Sequence, residues 1–132
     1  MKRIYTLFIM IGVLLLCSRE IAIAGAANFV GAWTGEYCTM SSKDGLSCGK
    51  PMEIVIIEQQ KDLVRGHISI KGKDYPLSGA IKANKVIDYT DALNSIGILQ
   101  LTPKKTLQMK AVNRCVTNNA ECAHSGEFRR KK

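Results

Sequence analysis

From Leu63 to Lys82 the chain alternates apolar and polar residues, interrupted once at Gly72-Lys73. Val64, Gly66, Ile68 and Ile70 take one side, and Arg65, His67, Ser69 and Lys71 take the other; after the turn, Tyr75, Leu77, Gly79 and Ile81 resume the apolar series. A period of two marks a strand with one face in a core and the other in water. The stretch therefore predicts a half-buried hairpin, and its neighbours must supply the rest of a sheet. Pro76 has no N–H to donate to a ladder, which places it at the start of its strand or beside a bulge.

Similar short segments lie on either side. Gly31 to Cys38 reads as a first strand with Trp33, Gly35 and Tyr37 inward. Thr39 to Pro51, with Ser41-Ser42-Lys43-Asp44-Gly45 at its centre, reads as a long surface loop held at Cys38 and Cys48. Met52 to Glu58 is β-branched and apolar on both faces, which suits a strand covered on both sides. Further strands are expected at Lys85 to Tyr89, Ser95 to Leu101, Thr106 to Arg114 and Gly126 to Arg129. Ala83-Asn84 suits a hairpin turn, Asp91 to Asn94 one helical turn, and Cys115 to Cys122 a polar hairpin loop. About eight short strands joined by mostly tight turns predict an all-β, antiparallel up-and-down meander closing into a small barrel. Inward glycines at Gly35, Gly66, Gly79 and Gly126 fall where a coiled sheet must bend.

Met1-Lys2-Arg3 precedes an apolar run from Ile4 to Cys17, and small residues follow at Ala22-Ile23-Ala24 and Ala24-Gly25-Ala26. This is the pattern of a secretory signal peptide over residues 1–26, cleaved after Ala24 or Ala26, with one domain over residues 27–132. The run is shorter than the ~20 residues of a membrane-spanning helix, so no integral membrane segment is expected after cleavage; a retained anchor is the alternative. Leu14-Leu15-Leu16-Cys17 is similar to a lipidation box, but Leu16 is large where such boxes want a small residue.

Export leaves four cysteines, Cys38, Cys48, Cys115 and Cys122, which predicts two disulfides and a periplasmic or secreted location. Three connectivities are open. Loops after the first and seventh strands of a meander emerge at one end, so local and cross-loop pairs are both feasible; local pairing is preferred. Nine and six residues separate the members of the local pairs, wider than zinc ligands usually stand, so no metal is expected.

Gly31-x-Trp33 on the first strand, with Arg129 and Arg130 on the last, resembles the calycin superfamily of lipocalins, avidins and small bacterial protease-inhibitor barrels. The resemblance implies that Trp33 closes one barrel end and that Arg129, or Arg130, packs across it. Avidin's ligand cage uses several tryptophans and this chain has one, which argues against biotin. The helix that usually precedes a lipocalin's final segment has no counterpart.

Neither histidine, His67 nor His124, has an evident nucleophile and carboxylate around it, so no catalytic residue, enzyme activity or cofactor is expected. Glu53, Glu58 and Asp88 read as solvated strand-face carboxylates. The formal charge of +8 includes Arg65, Lys71, Lys82, Lys104, Lys105, Lys110, Arg129 and Arg130, and suits an acidic partner. Nucleic acid is disfavoured because the aromatics fall on inward faces, where they cannot stack on bases. The expected function is a non-enzymatic exported binding protein, for instance an inhibitor of a secreted or periplasmic hydrolase. Its protein partner would be met by Ser41, Lys43, Asp44, Asn118 and Asn119 on two disulfide-held loops. The alternative is a carrier of a small apolar ligand in the barrel mouth, lined from the inward set Trp33, Tyr37, Tyr75, Leu77, Ile81, Leu107, Met109 and Phe128.

Overall fold

The computed structural model describes residues 27–83, 85–115 and 119–132. The expected signal peptide, its cleavage site, Cys17, Asn84 and Asn118 lie outside the described residues. Eight antiparallel strands run β1 (Gly31–Ser41), β2 (Gly45–Gln60), β3 (Leu63–Ile70), β4 (Lys73–Ala83), β5 (Val86–Asp91), β6 (Ile96–Leu101), β7 (Thr106–Arg114) and β8 (Glu121–Arg130). Each pairs with its neighbour in sequence, and β8 returns to β1 to close the barrel. Closure leaves no sheet edge with unpaired backbone groups.

The interior is filled from one end. Trp33, Ile54, Ile56, Ile68, Ile87, Leu99, Leu107 and Phe128 are all buried, each supplied by its strand's two-residue alternation. Phe29, just ahead of β1, lies across the bottom and is fully buried. Trp33 Nε1 donates to the Phe29 carbonyl at 3.0 Å, and Gln59 receives the Phe29 N–H and donates to the Ala27 carbonyl. Arg130 stacks over the Trp33 ring, 4.5 Å from its centroid, and donates to the carbonyls of Val30 and Asn28.

Of the two candidate arginines, Arg130 covers the tryptophan, which corrects the assignment to Arg129. The reason is the strand period: Phe128 faces inward, so Arg130 shares its side while Arg129 faces out. Gly35 and Gly66 sit where strands cross most closely, and a methyl group there would run into the carbonyls of Glu127 and Val55 respectively.

Several local expectations change. Thr39 to Pro51 is not a long loop: β1 and β2 pair as far as Ser41↔Gly45, with a tight turn between. β2 carries one extra residue against Cys38, accommodated by Gly49 at φ 77, and the Cys38–Cys48 disulfide joins the two strands at this bulge. β2 is also covered on one side only. Met52, Ile54 and Ile56 are buried, whereas Ile57 is 56% exposed at a second bulge, where the register shifts between Ile56 and Glu58. That inserted residue is what blurs the alternation in the sequence.

β8 begins at Glu121 rather than Gly126. Asp91 to Asn94 forms a single hydrogen-bonded turn and no helix: the Asn94 N–H donates to the Asp91 carbonyl, and Asp91 Oδ1 accepts the N–H groups of Leu93 and Ser95. Pro76 lies inside β4, and its carbonyl accepts from Ala92 beyond the end of β5. Its missing N–H therefore falls where the β4–β5 ladder has not yet begun, the first pair being Leu77↔Asp91.

Candidate functional site

The end opposite Trp33 is not filled. A cavity of about 180 Å³ opens there, walled by Met52, Ile68, Ile70, Leu93, Met109 and Ala111, with Tyr37, Lys50, Tyr89 and His124 among its polar residues. Apart from Leu93, in the β5–β6 turn, these are inward positions of β1, β2, β3, β5, β7 and β8, continued past the apolar layer towards the strand ends. Polar side chains replace the large apolar ones at this level, and they pack less completely.

A hydrogen-bonded chain crosses the mouth. His124 Nδ1 lies 3.0 Å from Thr39 Oγ1, and Nε2 lies 2.8 Å from Asn113 Oδ1. Asn113 Nδ2 donates to Ser95 Oγ at 3.0 Å, and the Ser95 N–H donates to Asp91. Since the Asn113 oxygen can only accept, the imidazole proton sits on Nε2 and Nδ1 accepts the Thr39 hydroxyl. Burial holds the His124 pKa below the ordinary histidine value and Lys50 adds to this, while the Asp91 carboxylate pulls the other way. The ring is thus a neutral member of the chain, held by two uncharged partners.

Burial also raises the Tyr37 and Tyr89 hydroxyls, with Tyr75 adding to the first and the Asp91 carboxylate to the second. Both stay protonated and able to donate. Among the described residues, no hydrogen bond or ion pair within the chain engages the Tyr37 or Tyr89 hydroxyl or the Lys50 ammonium. Three donors therefore remain available around an apolar pocket. Among the described residues no group of three or more His, Cys, Asp or Glu is placed to hold a metal ion.

The predicted contact residues disperse. Ser41 is 8% exposed at the end of β1, where its Oγ accepts the N–H groups of Lys43 and Asp44; it shapes the turn and is not a free contact residue. Lys43 and Asp44 are exposed at the hairpin tip. Asn119 is exposed with φ 53, and its N–H closes the Cys115 turn by donating to the Cys115 carbonyl. The cysteines pair locally, Cys38 with Cys48 and Cys115 with Cys122, and the two hairpins are joined where the Ser42 N–H donates to the Glu121 carbonyl.

Sequence reasoning missed Thr39, Lys50, Asp91, Ser95 and Asn113, and treated His124 only as a loop neighbour. One signal was available. Counting back by twos from Phe128 through Gly126 puts His124 on the inner face.

On the outside of the same end, Leu46, Met40, Ala123, Val112 and Ile96 are successive cross-strand partners on five adjoining strands. Leu46, Met40, Val112 and Ile96 are each more than half exposed. They form a continuous apolar row beside the mouth.

No family model matches the chain, and no curated protein matches it. Among solved structures, it is similar to a protein of unknown function from the DUF3598 family of Nostoc punctiforme PCC 73102, with TM-score 0.57 and 7% identity. The match covers 78% of this chain and 47% of that protein, so the chain spans less than half of its length. The likeness extends to the fold: a small antiparallel barrel, braced here by two disulfides.

Proposed function

We propose that this chain is an exported, non-enzymatic binding protein of calycin type that takes a small amphipathic ligand in its barrel mouth. The carrying observation is the mouth cavity, where apolar walls meet the unengaged Tyr37, Tyr89 and Lys50 donors. Such a pocket suits a short apolar body with an acidic head, since Lys50 offers a cation and the tyrosines offer neutral donors. At about 180 Å³ it is smaller than the ~300 Å³ at which drug-sized pockets begin, so the ligand is small. The two disulfides fit a periplasmic or secreted setting.

Calorimetric titration of the oxidised protein with octanoate tests this reading, with octanol as the head-group control. Octanoate should bind more tightly than octanol, and Lys50→Gln should abolish the difference. Ala111→Trp should fill the cavity and remove binding while the barrel still melts cooperatively. Undiminished binding to the folded Ala111→Trp protein would show that the mouth is not the site.

The apolar row supports a second reading, a protein partner gripped by the mouth rim, as an inhibitor would require. Native mass spectrometry of protein isolated from its own exported fraction separates the two. A retained small mass favours the carrier, whereas a retained protein chain lost on Met40→Lys favours the rim.

A further inference from the structure

The closed end carries a different chemistry. In an up-and-down barrel the β2–β3, β4–β5 and β6–β7 turns and the end of β8 all emerge on the side of Trp33. These segments bring together Lys61, Lys85, Lys104, Lys105, Arg129 and Lys132, all exposed and, among the described residues, none in a salt bridge with an acidic side chain. The acidic residues nearby are largely neutralised. Glu58 pairs with Arg65, Asp88 with Lys82 and Glu53 with Lys131, leaving Asp62 outside these pairs. Glu36 and Glu127 lie further up the wall, facing each other across β1 and β8, and are outside these ion pairs.

The backbone makes two of these charges removable without loss of fold. Lys61 and Lys105 hold φ values of 52 and 59, a left-handed conformation that glycine or asparagine adopts more cheaply. Lys71, at the mouth, has the same conformation (φ 52), so the strain does not distinguish the two ends, but it lets glycine replace each lysine without distorting its turn.

We propose that the closed end is a docking face for an anionic lipid bilayer surface. The cations come from three turns and a strand end spaced around the whole barrel, so they address an extended flat surface. Five of the six are lysines, point charges that attract an anionic surface without demanding the bidentate geometry arginine supplies. Leu63, 65% exposed and two residues from Lys61, offers an apolar side chain at the same rim, which a headgroup layer can bury and a soluble polyanion cannot. The aromatics of this end, Trp33, Phe29 and Phe128, are buried, so no base-stacking platform accompanies the charge.

The test is co-sedimentation of residues 27–132, which contain the whole barrel and both disulfides, with vesicles. Phosphatidylcholine vesicles containing phosphatidylglycerol should carry the protein down, and phosphatidylcholine alone should not. Lys61→Gly and Lys105→Gly should each weaken partitioning roughly fivefold, the effect of losing one surface cation. Both should hold or raise the Tm because they relax the left-handed turns, an outcome a purely structural lysine would not show.

Lys71→Gly is the matched control. It removes the same charge at the same kind of turn, φ 52, but at the mouth end, and should leave partitioning unchanged. Leu63→Ser should weaken vesicle binding while leaving any binding to soluble polyphosphate untouched. Equal losses for Lys71→Gly and Lys61→Gly would overturn the proposal, since net charge and not the closed face would then be responsible. Binding to polyphosphate without binding to anionic vesicles would overturn it in favour of a soluble polyanion.

Discussion

The two ends of this barrel are made of the same eight strands and differ in almost everything else. At the closed end Phe29, Trp33 and Phe128 are fully or almost fully buried beneath Arg130, and outside that seal lie turns rich in lysine. At the mouth the inward positions pass to Tyr37, Thr39, Asp91, Asn113 and His124; Thr39, His124 and Asn113 are hydrogen-bonded in a chain that continues through Ser95 to Asp91, and a cavity remains beside them. Large apolar side chains interdigitate to fill a barrel, whereas polar ones must keep the geometry of their hydrogen bonds and fill it less well. Stability and binding are thereby separated along one axis. The closed end holds the barrel shut, and the mouth, braced by two disulfides, can carry unengaged donors.

Mutations at the two ends sharpen or break that contrast. The largest effect is expected at the seal: Phe29→Ala should destabilise by about 3–5 kcal/mol in urea denaturation, through lost burial and a cavity. Tyr37→Ala, half-buried at the mouth, should cost about 1–2 kcal/mol. Equal costs would mean the two ends do not divide the work in this way.

Next come the disulfides. Replacing Cys38 and Cys48 by serine should lower stability by roughly 2–3 kcal/mol, as for a short closed loop, and Cys115 with Cys122 similarly. Both losses should loosen the mouth first, seen as faster amide exchange in the β1–β2 and β7–β8 hairpins, with the amides around Trp33 still protected.

A smaller effect separates the paired arginines. Arg130→Ala should cost about 1–2 kcal/mol, because it removes a cation–π contact and two hydrogen bonds to the plug, while Arg129→Ala should stay within ~0.5 kcal/mol. Reversed values would restore Arg129 as the closing residue.

The smallest effect is a pH dependence at the mouth. Burial lowers the folded His124 pKa below 6.5, so the unfolded chain binds this proton more readily than the folded one. The favourable contribution is complete above pH 6.5 and is lost as the pH falls from there through the depressed folded pKa. Denaturation midpoints should decline over that window, and His124→Gln should flatten the slope. An unchanged slope in the variant would assign it to other groups.

Much of the fold was legible in the sequence because strand alternation is local. Val64 to Ile70 and Tyr75 to Ile81 announced their faces, and the same rule, carried two residues beyond Phe128, selects Arg130 over Arg129. Reading failed where a bulge inserts one residue. At Ile57 the inserted residue made β2 look apolar on both sides, and at Gly49 it disguised a continuous hairpin as a loop. The site was less legible, since its hydrogen bonds join positions remote in sequence: Thr39 meets His124 across 85 residues and Asn113 meets Ser95 across 18.

Local pattern alone was enough to specify a meander of short strands with one apolar face and four cysteines beyond residue 26. Both are matters of period and count, which act over a few residues. Which end is filled, which arginine seals it, and that His124 joins a part-buried polar chain follow from the assembled barrel. Those depend on the register with which β8 closes on β1, set by the packing of the whole interior and by bulges that no local pattern announces.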